Sequence, residues 1–205
     1  MARRSDHTRK QIFDMAMAAA ERIVETDGFC GLTARNIAGA IGYSPGTLYN
    51  IFDGRDDIVL HLNGRVLDRL YNRLVDAPVS GVPNVDIGGL LDRYFDFLHD
   101  HPNLWRMLFE HKLSRDRSFP VWYVLKVDRV LGLVSSALEP FFCDEEKNRK
   151  AEAARILWAS LHGICSLADM GKLNAITNRP VRDMAKELMR LLLAGLDVSR
   201  ASILR

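Results

Sequence analysis

Gly42-Tyr43-Ser44-Pro45-Gly46 satisfies G-x-S-x-G, the pattern in which a serine on a sharp strand-to-helix turn becomes the nucleophile of an α/β-hydrolase. That chemistry needs a strand before the first glycine. The residues leading to Gly42 have helical spacing instead, with Ile37, Ala38 and Ile41 on one stripe and no β-branched run. Ser44 is therefore read as a helix start, its hydroxyl capping and Pro45 taking the first helical position, where a missing N–H costs nothing. His99, His101 and His111 raise metal chemistry, yet they lack the i, i+4 spacing that brings two imidazoles to one ion. Asp144, Glu145 and Glu146 read as an acidic helix start favoured by the helix dipole, not as paired catalytic carboxylates. Cys30, Cys143 and Cys165 form no C-x-x-C pair and suit reduced thiols that pack as small buried hydrophobes. The expectation is no catalytic residue, no metal and no cofactor.

The chemistry that remains is recognition. Thr47 and Asn50 can bond base edges or sugar-phosphate, Tyr49 can reach a phosphate through its hydroxyl, and Gly46 lets the backbone approach closely. The elements that must hold these residues are legible. Thr33 caps a helix, Gly42 stops it at a position that favours positive φ, and Ser44 and Pro45 open the next. In that second helix Leu48, Ile51 and Phe52 face inward, which leaves Pro45, Gly46, Thr47, Tyr49 and Asn50 outward. Two helices joined by a short glycine turn make a helix-turn-helix, whose second helix enters the major groove. At about eight residues that helix is marginal in water and must be held by tertiary packing.

Around this unit the spacing is helical throughout. Ile12, Ala16, Ala20 and Ile23 define a helix from about Thr8 to Thr26, ended by Gly28. Asp53 can cap a long helix from Arg55 to Val75, with Ile58, Leu62, Val66, Leu70 and Leu74 at i, i+4 spacing. Residues 77–83, with two prolines and a glycine, form the clearest break. Beyond it one stripe holds Leu90, Leu91, Tyr94, Phe95 and Leu98. Pro102 opens a helix, Ser118 and Pro120 open another that Pro140 stops, Asp144 opens one to about Gly171, and Pro180 opens the last. With no strand signal, the fold is expected to be all-α with about nine helices. The expected domains are 1–54 for the helix-turn-helix unit, 55–76 as a connecting helix and 77–205 for the rest.

Composition permits this and adds little. The 205 residues are 48% hydrophobic, enough for a sizeable core, and the net charge of +2 neither requires nor excludes nucleic acid. Basic character is local: Arg3, Arg4, Arg9 and Lys10 against Asp6 make an N-terminal arm that could reach phosphates or a minor groove, or remain a solvated tail. No run of 18 apolar residues marks a membrane span, and MARRSDHTRK lacks the apolar stretch of a signal peptide. A cytoplasmic protein without a membrane partner is expected.

The stretch from Leu32 to Phe52 resembles the DNA-binding signature of TetR-family transcriptional regulators, roughly LT..IA..AGVS.GTLY.YF..K..L. Leu32, Thr33, Ile37, Ala38, Gly42, Ser44, Gly46, Thr47, Leu48, Tyr49 and Phe52 carry the match. Ile41, Tyr43, Asn50 and Ile51 depart from it, and Arg55 replaces the usual lysine while keeping its charge. The resemblance implies that Thr33, Ser44, Pro45, Gly46, Thr47, Tyr49, Asn50 and Arg55 form the DNA-binding set, with Arg55 on a phosphate.

A second, shorter resemblance lies in LWASLHGI, where Trp158, His162 and Gly163 match the Trp-His-Gly signature of one branch of that family. HPNLWRMLFE is similar to the same branch. These likenesses imply a small-molecule cavity inside the C-terminal helices and a homodimer made by the last two long helices, here about 144–171 and 180–197. Trp105, Phe109, Trp122, Tyr123, Trp158 and His162 are the candidate lining, since ligand sites are mostly apolar with a few placed polar groups. The expected function is a ligand-responsive regulator, with repression the favoured sign, that binds palindromic operator DNA as a homodimer and is released by its effector. The alternatives are a helical hydrolase and a module whose helix-turn-helix contacts protein.

Overall fold

A computed structural model describes residues 7–112, 118–143 and 146–203, with side chains followed to residue 197. Arg3, Arg4 and Asp6 of the expected arm, and Asp144 and Glu145 of the expected helix start, lie outside the described residues. Among the described residues the fold is all-α, with nine α-helices and no strand. These are α1 (Arg9–Asp27), α2 (Ala34–Ala40), α3 (Pro45–Tyr49), α4 (Arg55–Val75), α5 (Pro83–Asp100), α6 (Pro102–Glu110), α7 (Val121–Ala137), α8 (Lys147–Asp169) and α9 (Val181–Ile203).

The helix starts follow from local chemistry. Thr8 accepts from the Gln11 amide while Gln11 reaches back to the Thr8 amide, a complete capping box for α1. Pro102 stands at the first turn of α6 as expected. At α4 the cap differs from expectation. Gly54, at φ +99, stands between Asp53 and the helix, and it is Asp57 whose carboxylate reaches back to accept the Asp53 amide at 3.0 Å. The α7 helix stops at Ala137, before a 3₁₀ turn over Glu139–Phe141 that contains Pro140.

Two compact units result. One comprises Met1–Arg69 with Leu98–Lys126, the other Leu70–Phe97 with Val127–Arg205, so α4, α5 and α7 each contribute to both. In the first unit α1 packs on α2 and α6, and α2 on α3. Its core is Ile12, Ala16 and Ala20 of the expected α1 stripe with Ile37, Leu48, Phe52, Ile58, Leu62 and Val66, all buried, while Ile23 is half-buried. Arg69 pairs with Glu21 at 2.8 Å and Glu25 at 3.2 Å, and Arg65 with Asp14 at 3.3 Å, tying α4 to α1. On α6, Leu104, Trp105 and Met107 are buried, and the Asn103 side chain donates to the Glu25 carbonyl of α1 at 2.9 Å.

Gly64 sets how closely α7 approaches α4. A Cβ there would stand 2.9 Å from Cζ3 of Trp122 and 3.4 Å from the Lys126 stem. The Trp122 ring cannot simply swing aside, because it stacks on His61 at 4.8 Å with an interplanar angle of 8°. Overpacking of about 1–3 kcal/mol should therefore exceed the helix-propensity gain of about 1 kcal/mol. Gly64→Ala is expected to lower the urea midpoint of unfolding; a raised midpoint would refute the close-packing argument.

In the second unit α8 packs on α9. Arg182 of α9 bonds Asp92 at 3.2 Å and Asp96 at 3.3 Å on α5, and lies over the Phe95 ring. The last carbonyls of α4 are met by Arg93, which donates to Arg73 O at 3.2 Å and Asp76 O at 2.9 Å. Asp86, buried, accepts from the Ser80 amide at 2.7 Å, the Ser80 hydroxyl at 2.6 Å and the Gly81 amide at 3.0 Å. Those bonds hold its carboxyl below the usual carboxylate range.

Candidate functional site

The turn between α2 and α3 is built as a Schellman motif. Gly42 adopts φ +75, Tyr43 N–H donates to Ala38 O at 2.9 Å, and Gly42 N–H donates to Gly39 O at 3.3 Å. Thr33 caps α2 through its hydroxyl, which accepts from the Asn36 amide at 3.1 Å. Ser44 stands at the N-cap of α3, but its hydroxyl pairs with that of Thr47 at 3.1 Å instead of bonding a backbone amide. The capping role expected of that side chain is corrected accordingly. Pro45 takes the first helical position, and α3 spans five residues, shorter than the spacing suggested, because Asn50 already forms its C-cap.

Burial sorts α3 cleanly. Leu48 and, just beyond, Phe52 are buried, while Ser44, Pro45, Gly46, Tyr49 and Asn50 are exposed and Thr47 is half-buried. Arg55 opens α4 with an exposed side chain whose guanidinium sits 5.2 Å over the Phe29 ring. The DNA-binding set of the sequence thus shares one unit. Arg9 of the expected arm is otherwise engaged: it begins α1 and donates to the Ile51 carbonyl at 3.2 Å. His7 bonds the Tyr43 hydroxyl at 2.7 Å, so two residues outside the helix-turn-helix brace it from the N-terminal side.

The aromatic candidates separate. Trp158 lines a cavity of about 40 Å³ in the second unit, walled also by Leu74, Leu90, Tyr94, Leu157 and Leu188. His162, one turn on, packs beside Trp158 at 4.7 Å and donates from Nδ1 to the Trp158 carbonyl at 3.2 Å, while the Tyr94 hydroxyl lies 3.4 Å from Nε2. Burial pushes its pKa down to about 4, so the imidazole is neutral. Burial likewise pushes the Cys165 thiol up to about 12, against the opposing effect of a hydrogen bond with Tyr94.

Trp105, Phe109, Trp122 and Tyr123 do not line this cavity; they lie in the other unit. Trp105 is buried against Phe109 at 5.3 Å, Trp122 stacks on His61, and Tyr123 takes a bond from Asn63. Trp105 and Tyr123 are buried and Trp122 is half-buried, whereas Phe109 is 46% exposed, and α6 packs on α1. Leu74 and Tyr94, which spacing marks only as members of buried stripes, also line the cavity and are not among the candidates. Tyr94 carried a signal, a hydroxyl inside an otherwise apolar stripe that must find a partner once buried.

Among the described residues no group of three or more histidine, cysteine, aspartate or glutamate side chains could hold a metal. His111 pairs with Asp56 at 2.9 Å and His61 with Asp57 at 3.5 Å. Cys165 is buried as expected, whereas Cys30, within a 3₁₀ turn, and Cys143, beside one with its thiol donating to Glu146 Oε2 at 3.3 Å, are exposed. No described helix is long and apolar enough to cross a membrane.

A capped helix-turn-helix and a separate helical unit around an apolar cavity define a DNA-binding regulator. The family model described as "Bacterial regulatory proteins, tetR family" matches residues 16–62, and "Tetracyclin repressor-like, C-terminal domain" matches residues 88–192. The chain belongs to the TetR family of transcriptional regulators, which are not enzymes, so the serine pattern at Ser44 is a helix start.

Solved structures share the fold. A protein with unknown function from Rhodococcus sp. RHA1 is 20% identical over 95% of this chain and 98% of its own, with a TM-score of 0.67. The TetR family transcriptional regulator PfmR from Thermus thermophilus is 14% identical over 87% and 97%, with a TM-score of 0.56. The multidrug binding protein EbrR, complexed with imidazole, is 23% identical over 91% and 96%, with a TM-score of 0.59. No curated protein matches the chain.

Proposed function

We propose that this regulator is a cytoplasmic homodimer that represses by binding a palindromic operator and is released by a small molecule in the cavity beside Trp158. The observation that carries the DNA-binding part is the outward face of α3, with Thr47, Tyr49 and Asn50 presented on a helix held from behind by Leu48 and Phe52. Residues 1–54, with Arg55, serve DNA, 55–76 connect and lend Leu74 to the effector cavity, and the rest of effector binding and dimerisation lies within 77–205. Arg55 meets a phosphate, and two copies set their recognition helices about one DNA turn, roughly 34–36 Å, apart.

The dimer reading is supported by α8 and α9, which leave Ile156, Ala159 and Gly163 on one and Leu191, Ala194 and Gly195 on the other exposed in a single protomer. Apolar and small residues at helical spacing suit close helix packing. The Trp158, His162 and Gly163 set also supports membership of the Trp-His-Gly branch. An effector in the cavity touches Leu74 near the end of α4, the helix that Arg55 begins. A coupling of about 1–3 kcal/mol would weaken operator affinity roughly 5- to 150-fold.

Selection of random duplex DNA by the purified chain at near-physiological salt tests the proposal. Recovery of a palindrome is expected; recovery of nothing by folded, ligand-free protein would overturn it and bring forward the protein-contacting module. On the selected operator, Arg55→Ala should weaken binding to every sequence and lower the salt slope by about 1, whereas Thr47→Ala and Asn50→Ala should change the preference among sequences. Uniform losses for all three would contradict these roles.

A further inference from the structure

The cavity beside Trp158 has a neighbour. A second cavity, of about 90 Å³, is lined by Val75, Val79, Leu133 and Asp86, and it shares Leu74 and Leu90 with the first. Because Leu74 of α4 and Leu90 of α5 line both chambers, they are the side chains that a ligand spanning the two would have to displace as a septum. The inner chamber, at about 40 Å³, has room for only a few water-sized volumes and is smaller than the engineered cavity of about 150 Å³ that admits benzene. Neither chamber alone accommodates a compact drug-sized molecule. The pair, end to end, suits something long and thin.

Charge narrows the class further. Among the described residues no ionisable side chain other than the Tyr94 phenol lines the inner chamber, and His162 beside Trp158 is neutral. The outer chamber has one charged lining group, Asp86, whose oxygens are occupied by Ser80 and Gly81. An anionic ligand group would lose its hydration with no cation in either lining to meet it, and a cationic one would find only Asp86, whose oxygens already accept three hydrogen bonds. An uncharged polar end could instead donate to the Tyr94 oxygen, whose own hydrogen is directed at His162 Nε2. The outer chamber has an apolar edge: Val79 is 88% exposed and Val75 42%. Exposed valines beside a cavity suit the entry of an apolar chain, and Asp86 pins the 77–81 loop that carries Val79.

We infer that the effector is an uncharged, chain-shaped molecule with one neutral polar end, which enters between Val75 and Val79, displaces the Leu74–Leu90 septum and sets its polar end against Tyr94. This rests on the reading of the cavity as the effector site.

The test is calorimetric titration of the full chain with straight-chain primary alcohols from butanol to decanol, and with alkanoates and alkylammonium ions of equal length. Alcohol affinity should rise about fourfold per methylene until both chambers are filled, with each charged analogue at least about tenfold weaker than its alcohol. Leu90→Trp should flatten the rise beyond the length that fills the inner chamber. Should that variant not fold, Leu133→Trp, at a half-buried position lining only the outer chamber, should flatten it in the same way. No alcohol binding, charged analogues binding as well as alcohols, or an unchanged length dependence in the folded blocking variant would each overturn the inference. Operator binding is measured on the same samples. Palindrome binding without alcohol binding removes the ligand class and leaves the regulator reading; alcohol binding without operator release keeps the cavity's ligand class and removes its reading as the effector site.

Discussion

Phe52→Ala is expected to cost about 3–5 kcal/mol of stability and to abolish duplex binding even at low salt. The ring is 1% exposed, stacks on Phe13 of α1 at 5.1 Å and meets His61 of α4 edge-on at 6.1 Å, so one side chain joins three helices. The Phe52 amide also donates to the Leu48 carbonyl at 2.9 Å, closing the chain at the end of α3. A five-residue helix has no stability of its own, since nucleation consumes more than its few hydrogen bonds return. What orients Thr47, Tyr49 and Asn50 is therefore the packing behind them. Tyr49→Ala is the control: at 55% exposure it should change stability by less than about 0.5 kcal/mol while still altering DNA binding. Urea unfolding and duplex titration of both variants decide the matter. A Phe52→Ala protein within about 1 kcal/mol of the parent would show that α3 is held by something other than this ring.

What could be read in advance and what could not divide along one line. Caps, breaks and stripes are local, and they were legible: Thr8, Thr33, Gly42, Pro45 and Pro102 stand where their chemistry places them, and the Arg55 to Val75 stripe is one helix. The partner of a buried face is not local. Trp105 and Trp122 have the spacing of a buried face, but spacing carries no record of which helix covers it, and both belong to the unit built on α1. Gly54 shows the same limit at short range, since the acidic residue that bonds the backbone before α4 is Asp57, reaching back, and not Asp53. The cavity was half legible. Trp158 was visible through its resemblance, whereas Leu74, last of the α4 stripe, could be recognised only once α5, α8 and α9 were seen around it.

The second large effect is a pH dependence that belongs to His162. Its Nδ1 faces the Trp158 carbonyl at 3.2 Å and must carry the hydrogen, which leaves Nε2 as the acceptor for the Tyr94 hydroxyl at 3.4 Å. Protonation would add a donor where an acceptor is needed, and it would place a cation against Trp158 and Leu161 in a site too dry to solvate it. Hence the folded-state pKa falls to about 4 from an ordinary value of 6.5. The unfolded chain binds this proton first as pH drops, so the group's contribution is fully present above pH 6.5 and lost progressively down to pH 4. The loss amounts to about 2 kcal/mol by pH 5 and about 3 kcal/mol at the lower limit. His61, whose pKa is also lowered by burial, adds to the total in the same direction and remains in the variant. In His162→Gln, unfolding free energies at pH 7.5 and pH 5 should therefore differ by about 2 kcal/mol less than in the parent. Identical pH slopes in the two proteins would mean that this imidazole is charged, or hydrated, in the folded state. The same titration bears on the cavity, because a cation beside Trp158 would admit anionic ligands that the neutral imidazole excludes.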